Sequence, residues 1–122
     1  MATIELTKEN FTAVVGEAEL ALVDFWASWC GPCRAFGPVF EEVSENHPDA
    51  VFGTVDTEAQ RELAASFRVR SIPTLVVMRQ GLVLYAKSGA LLQHALEELV
   101  GRARVLDMDE VRRKRAAQRE TA

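Results

Sequence analysis

The run Leu20-Ala21-Leu22-Val23-Asp24-Phe25-Trp26 constrains the fold more than any other part of the chain. It is apolar throughout except for one aspartate, the pattern of a central strand buried on both faces. Such a strand requires a layer of helices on either side of its sheet. Thr74 to Met78 is a second buried apolar strand. Between and around them the pattern alternates in type. Ile4 to Leu6 reads as a short edge strand. Thr7 can cap a helix from Lys8 to about Val15, which Gly16 stops. A long helix opens at Cys30 and runs to about Asn46, with Phe36, Val39, Phe40 and Val43 turned inward. Pro38 lies inside it, where a kink is expected.

Val51 to Val55 is the next strand, and Glu58 to Phe67 the next helix. Gln80-Gly81 is a turn that sends Leu82 to Lys87 back as a hairpin. Gly89 breaks that strand. Ala90 to about Val105 is an amphipathic helix. The order β-α-β-α-β-α-β-β-α implies an α/β fold with a central mixed sheet, right-handed crossovers and flanking helices. Residues 1–105 form this domain. Residues 106–122 are a charged helical extension, with acids ahead of bases as the helix dipole favours. It is expected to be a solvated or frayed terminal helix, the alternative being a docking arm for an acidic partner.

At 122 residues the chain fits one domain with one core, and 48% hydrophobic residues argue against disorder. No apolar run is long enough to span a bilayer, so no membrane association is expected. Met1 to Asn10 lack the basic start and apolar stretch of a signal peptide, which points to a cytoplasmic location. The formal net charge is −4. From Arg102 onward bases outnumber acids by seven to four, which leaves about −7 for the preceding body. An acidic body argues against nucleic-acid binding.

There are two cysteines, Cys30 and Cys33. A disulfide framework would need more of them, spread along the chain. A zinc site would need four ligands, and the remaining candidates, His47 and His94, fall on surface turns or helices away from the pair. A purely structural bridge over so small a loop would stabilise little. At the first turn of a helix, free backbone N–H groups and the helix dipole favour a thiolate. Cys30 is therefore expected to be exposed and nucleophilic, with Cys33 one turn further in and more buried. Cys30 would attack a disulfide, and Cys33 would resolve the mixed disulfide. Pro32 suits the first turn, where no N–H partner is needed.

The segment Val-Asp-Phe-Trp-Ala-Ser-Trp-Cys-Gly-Pro-Cys-Arg at 23–34 closely resembles the active-site segment of the thioredoxin family. Val69-Arg70-Ser71-Ile72-Pro73-Thr74-Leu75 resembles the family's second signature, and Gly81 and Ser88-Gly89-Ala90 match later positions. The resemblance runs over roughly residues 3–104. Stretches such as Val55-Asp56-Thr57-Glu58 look most like the catalytic half of the bacterial thioredoxin-2 group. That group commonly carries a zinc ribbon, for which this chain has no cysteines.

What the resemblance implies is a thiol–disulfide oxidoreductase that reduces protein disulfides and is itself reduced by a thioredoxin reductase. It implies a monomer with no cofactor beyond the redox-active Cys30–Cys33 disulfide. Asp24, buried beneath the cysteines with a raised pKa, would exchange a proton with Cys33; the alternative is a core carboxylate without catalytic use. Pro73 would follow a cis bond; an ordinary trans proline is the alternative. Trp29, Gly31, Pro32, Ile72 and Gly89 would form the surface on which substrates dock. The Gly-Pro pair resembles that of reducing members, whose potentials lie well below those of oxidising relatives. Two departures stand out: Thr54 occupies a position where members often carry lysine near the aspartate, and Leu92 one where many carry proline. A module that binds partners through Trp29 and Ile72 without redox chemistry is the competing class of function.

Overall fold

A computed structural model describes residues 2–121. Met1 and Ala122, the outer bounds of the two expected segments, lie outside them. In chain order the elements are β1 (Thr3–Glu5), α1 (Phe11–Gly16), β2 (Leu20–Trp26), α2 (Gly31–Glu45), β3 (Val51–Asp56), α3 (Arg61–Ser66), β4 (Thr74–Arg79), β5 (Leu82–Ser88), α4 (Gln93–Val105) and α5 (Met108–Thr121). The five strands form one sheet in the order β1-β3-β2-β4-β5. β3 is parallel to both β1 and β2, whereas β4 runs antiparallel to β2 and to β5.

The apolar run at 20–26 is indeed the middle strand, and its period of two sends alternate side chains into separate cores. Leu20 and Leu22 join Phe36, Phe40, Val100 and others under α2 and α4. Ala21, Val23 and Phe25 join Leu6, Val15 and Ala64 under α1 and α3. Asp24 follows the even-numbered set, so it faces α2. In the turn between β4 and β5, Gln80 and Gly81 both have positive φ, 51° and 78°. That is the backbone a two-residue hairpin turn requires.

Three helices begin later than their sequence pattern suggests. Lys8 to Asn10 form a turn rather than helix, because Thr7 N–H donates to Asn10 Oδ1 at 2.7 Å and Asn10 N–H to Thr7 Oγ1 at 3.3 Å. Glu58 and Ala59 are likewise held in a turn, their N–H groups donating to Asp56 Oδ1 at 2.9 and 3.3 Å. α4 starts at Gln93, preceded by Leu92 in extended backbone. α2 runs through Pro38 without ending there.

Two surface expectations are corrected. His47 is not a solvated residue: its side chain is 17% exposed and Nε2 lies 2.7 Å from Glu97 Oε1, while Nδ1 lies 3.0 Å from Arg104 Nη2. The contact joins the end of α2 to α4. The C-terminal extension is not free either. α5 lies back on the β4–β5 hairpin, with Met108 buried, Arg112 bonded to Gln80 and Arg115 to the Val83 carbonyl.

Candidate active site

The carboxyl end of β2 leads into a tight loop. Cys30 N–H donates to the Ala27 carbonyl at 3.2 Å, and Arg34 Nη1 holds the Ser28 carbonyl at 2.8 Å. Thr57, just beyond β3, donates both its N–H and its hydroxyl to the Trp26 carbonyl, at 2.9 and 3.0 Å. Sequence reasoning passed over Thr57 and Arg34; a hydroxyl residue directly after a strand beside the cysteine loop is the signal that could have found the first. These bonds fix the chain between β2 and α2 and leave Trp29 standing out, 66% exposed.

Cys30 is the N-cap of α2, with extended backbone, and Gly31 and Pro32 follow in the first turn. Cys33 N–H points at the Cys30 sulfur at 3.2 Å. This is one of the free donors at the start of a helix, and it favours negative charge on that sulfur. The two cysteines are joined by a disulfide, with Cα atoms 5.2 Å apart.

The expected contrast in exposure between them is absent. Cys30 is 4% exposed, the same as Cys33. The reason lies elsewhere in the chain. The Ile72–Pro73 segment lies against Cys30, with the Ile72 carbonyl oxygen 3.7 Å from its sulfur. The Ile72–Pro73 peptide bond is cis and Pro73 is buried. Gly89, at φ 112°, donates its N–H to the Pro73 carbonyl at 2.8 Å. Trp29 and Ile72 line one groove, Gly31 and Pro32 follow Cys30 in the first turn of α2, and Gly89 is tied to Pro73.

Asp24 is 2% exposed, and its Oδ1 has no partner among the described residues. Burial pushes its carboxyl from 3.8 up to about 7, so it can take up or release a proton near neutrality. A cavity of about 320 Å³ connects Asp24 with Cys33, Thr54 and Glu41. Thr54 is the direct neighbour of Asp24 across the β2–β3 pairing. Arg34 also lines this cavity, but burial alone accounts for the raised pKa of Asp24. His94 is exposed on α4, away from this site.

A thioredoxin family model matches residues 2–102. The chain belongs to the thioredoxin family. It is 54% identical over 121 residues to a Streptomyces coelicolor protein provisionally named thioredoxin 2, a match that covers 99% of this chain and 90% of that one. It is 38% identical over 103 residues to the thioredoxin of Bacillus subtilis, across 84% of this chain and 98% of the relative. Among solved structures, a mutant thioredoxin from Halobacterium salinarum superposes with a TM-score of 0.79 at 29% identity, covering 86% of this chain and 93% of the other. Thioredoxin from Plasmodium falciparum gives 0.76 at 32% identity, over 82% and 98%. As a thioredoxin with its Cys-x-x-Cys pair bridged, the chain is a thiol–disulfide oxidoreductase. Members of this family act on disulfide substrates together with thioredoxin reductase.

Proposed function

We propose that Cys30 is the nucleophile and Cys33 the resolving thiol of a protein-disulfide reductase. In the reduced protein the Cys30 thiolate attacks one sulfur of a substrate disulfide. That bond breaks, and the other substrate sulfur leaves as a thiolate. Asp24, as carboxylate, takes the Cys33 proton through the intervening cavity. Cys33 then attacks Cys30, which releases the second substrate thiol and leaves the protein as its disulfide. A thioredoxin reductase restores the dithiol, and the pair itself is the only redox group the cycle uses. Pro73 and Gly89 position the substrate's backbone beside Ile72, and Trp29, Gly31 and Pro32 complete the docking surface. The chain works as a monomer in the reducing cytoplasm.

The observation that carries this reading is the Cys33 N–H aimed at the Cys30 sulfur at the start of α2. It supports Cys30 as the sulfur whose negative charge is stabilised. Insulin reduction by Cys30→Ser and Cys33→Ser variants tests it. Cys33→Ser should accumulate a mixed disulfide with substrate, and Cys30→Ser should be inactive and form none. Undiminished reduction by Cys30→Ser would refute the assignment.

A further inference from the structure

The cations that precede Arg102 divide into two groups. Lys8 pairs with Glu62 at 2.8 Å, and Arg79 with Glu19 at 2.7 Å. Arg34 holds the Ser28 carbonyl, and Lys87 stands 6.0 Å from the centre of the Tyr85 ring. Arg61, Arg68 and Arg70 are different. All three are exposed, and among the described residues none of their side chains has an ion-pair or hydrogen-bond partner. Three unengaged guanidinium groups within ten residues are out of place on a body that carries about −7.

Two of them border a groove of about 560 Å³ whose lining includes Trp29, the residue before Cys30, and Ile72. Val69 lies along it, and Arg61 and Arg70 line it together with a single acid, Glu58. The Ile72 carbonyl lies 3.7 Å from the Cys30 sulfur, so the groove adjoins that sulfur through Ile72, and a polypeptide whose cysteine reaches it has the groove beside it. A guanidinium offers a planar fork of donors that fits a carboxylate, and it is less strongly hydrated than an ammonium. The apolar stretch beside it accommodates the stem of an aspartate or glutamate.

We propose that Arg61 and Arg70 are specificity-determining residues that favour substrate proteins with acidic side chains next to the disulfide under attack. This rests on the assignment of Cys30 as nucleophile. The two arginines reverse the sign of the acidic body beside the reactive sulfur, and so they lower the repulsion an acidic segment meets there.

Cyclic peptides closed by one disulfide, alike except for glutamate or lysine flanking the cysteines, provide the test. Their reduction by the reduced protein is followed by stopped flow, with each rate referred to that for neutral hydroxyethyl disulfide. The glutamate peptide should react about fivefold faster at low salt, and the preference should shrink at about 0.5 M salt. In the Arg61→Gln/Arg70→Gln double variant the preference should fall below about twofold, whereas Arg102→Gln, which removes one charge from α4, should retain it. Equal rates for the two peptides would overturn the proposal. So would a preference unchanged in the double variant, or lost equally in Arg102→Gln. Failure of the unaltered protein to reduce hydroxyethyl disulfide would overturn this proposal and the catalytic assignment together; loss of the charge preference alone would leave the latter standing.

Discussion

Asp24 is held in a state that an unfolded chain would not hold. Its carboxyl is pushed from 3.8 to about 7 by burial. Between about pH 4 and 7 the native protein therefore keeps a proton that the unfolded chain releases. Stability from this group is complete below about pH 4 and is lost as pH rises through about 7. A shift of roughly three units corresponds to about 4 kcal/mol. Asp24→Asn keeps the shape without the charge, so it should stabilise the fold by about that amount at pH 8 and by little at pH 4. Denaturant unfolding at the two pH values checks this, and a gain equal at both would show that burial of the charge is not the cause. The aspartate was legible because a lone charge inside an apolar strand is conspicuous. The burial of Cys30 was not. Helix-start geometry predicts an open sulfur, but the group that covers it, Ile72, is 42 positions away, and no local pattern announces that contact.

Strands proved easier to read than helix beginnings, for a reason visible in the turns ahead of α1 and α3. Periodicity reports which side chains turn inward, and a turn can satisfy the same spacing as the first turn of a helix. Asn10 and Asp56 decide the matter by accepting nearby N–H groups, at 2.7 Å from Thr7 and 2.9 Å from Glu58. Such side chains compete with helix for the backbone. A second constraint invisible to periodicity is the close approach of β3 to Leu6. A Cβ built on Gly53 would lie 2.2 Å from Leu6 Cδ1 and 2.7 Å from its Cγ. Leu6 is fully buried, so it has little room to retreat. Gly53→Ala should cost about 1–3 kcal/mol by overpacking. Combining it with Leu6→Ala should cost less than the sum of the two single changes, because the methyl would fill space that the leucine vacates. Urea unfolding of the two single variants and the double variant measures the coupling, and strict additivity would count against the contact.

Across the whole molecule, chemistry and reinforcement occupy opposite ends of β4. Thr74 follows Pro73 at the site, and Arg79 lies five residues on, about 17 Å away for an extended strand. Arg79 gathers the far end. It pairs with Glu19 and donates to the carbonyls of Ala103, Arg104 and Leu106 as α4 finishes. Those carbonyls have no partner inside the helix. Gln80 also bonds Glu19 and receives Arg112 of α5, and Met108 is buried beneath. The charge order along 107–120 was enough to read a helix there. It was not enough to read the docking, which depends on one methionine and two arginines meeting a hairpin some 30 positions earlier. Ending the chain after Asp107 removes these contacts and leaves every residue of the site in place. Loss of the Met108 burial alone is worth about 2 kcal/mol, which for a domain of this size lowers Tm by roughly 8 °C. At 25 °C the shortened protein stays folded, so its kcat/KM for disulfide reduction should lie within about twofold of the full chain, since the cysteine pair, Asp24 and Pro73 keep their supports. Calorimetry and insulin turnover on one preparation decide it. An unchanged Tm would mean that α5 adds nothing to the hairpin. A folded but inactive truncation would mean that the far end reaches the cysteines through β4.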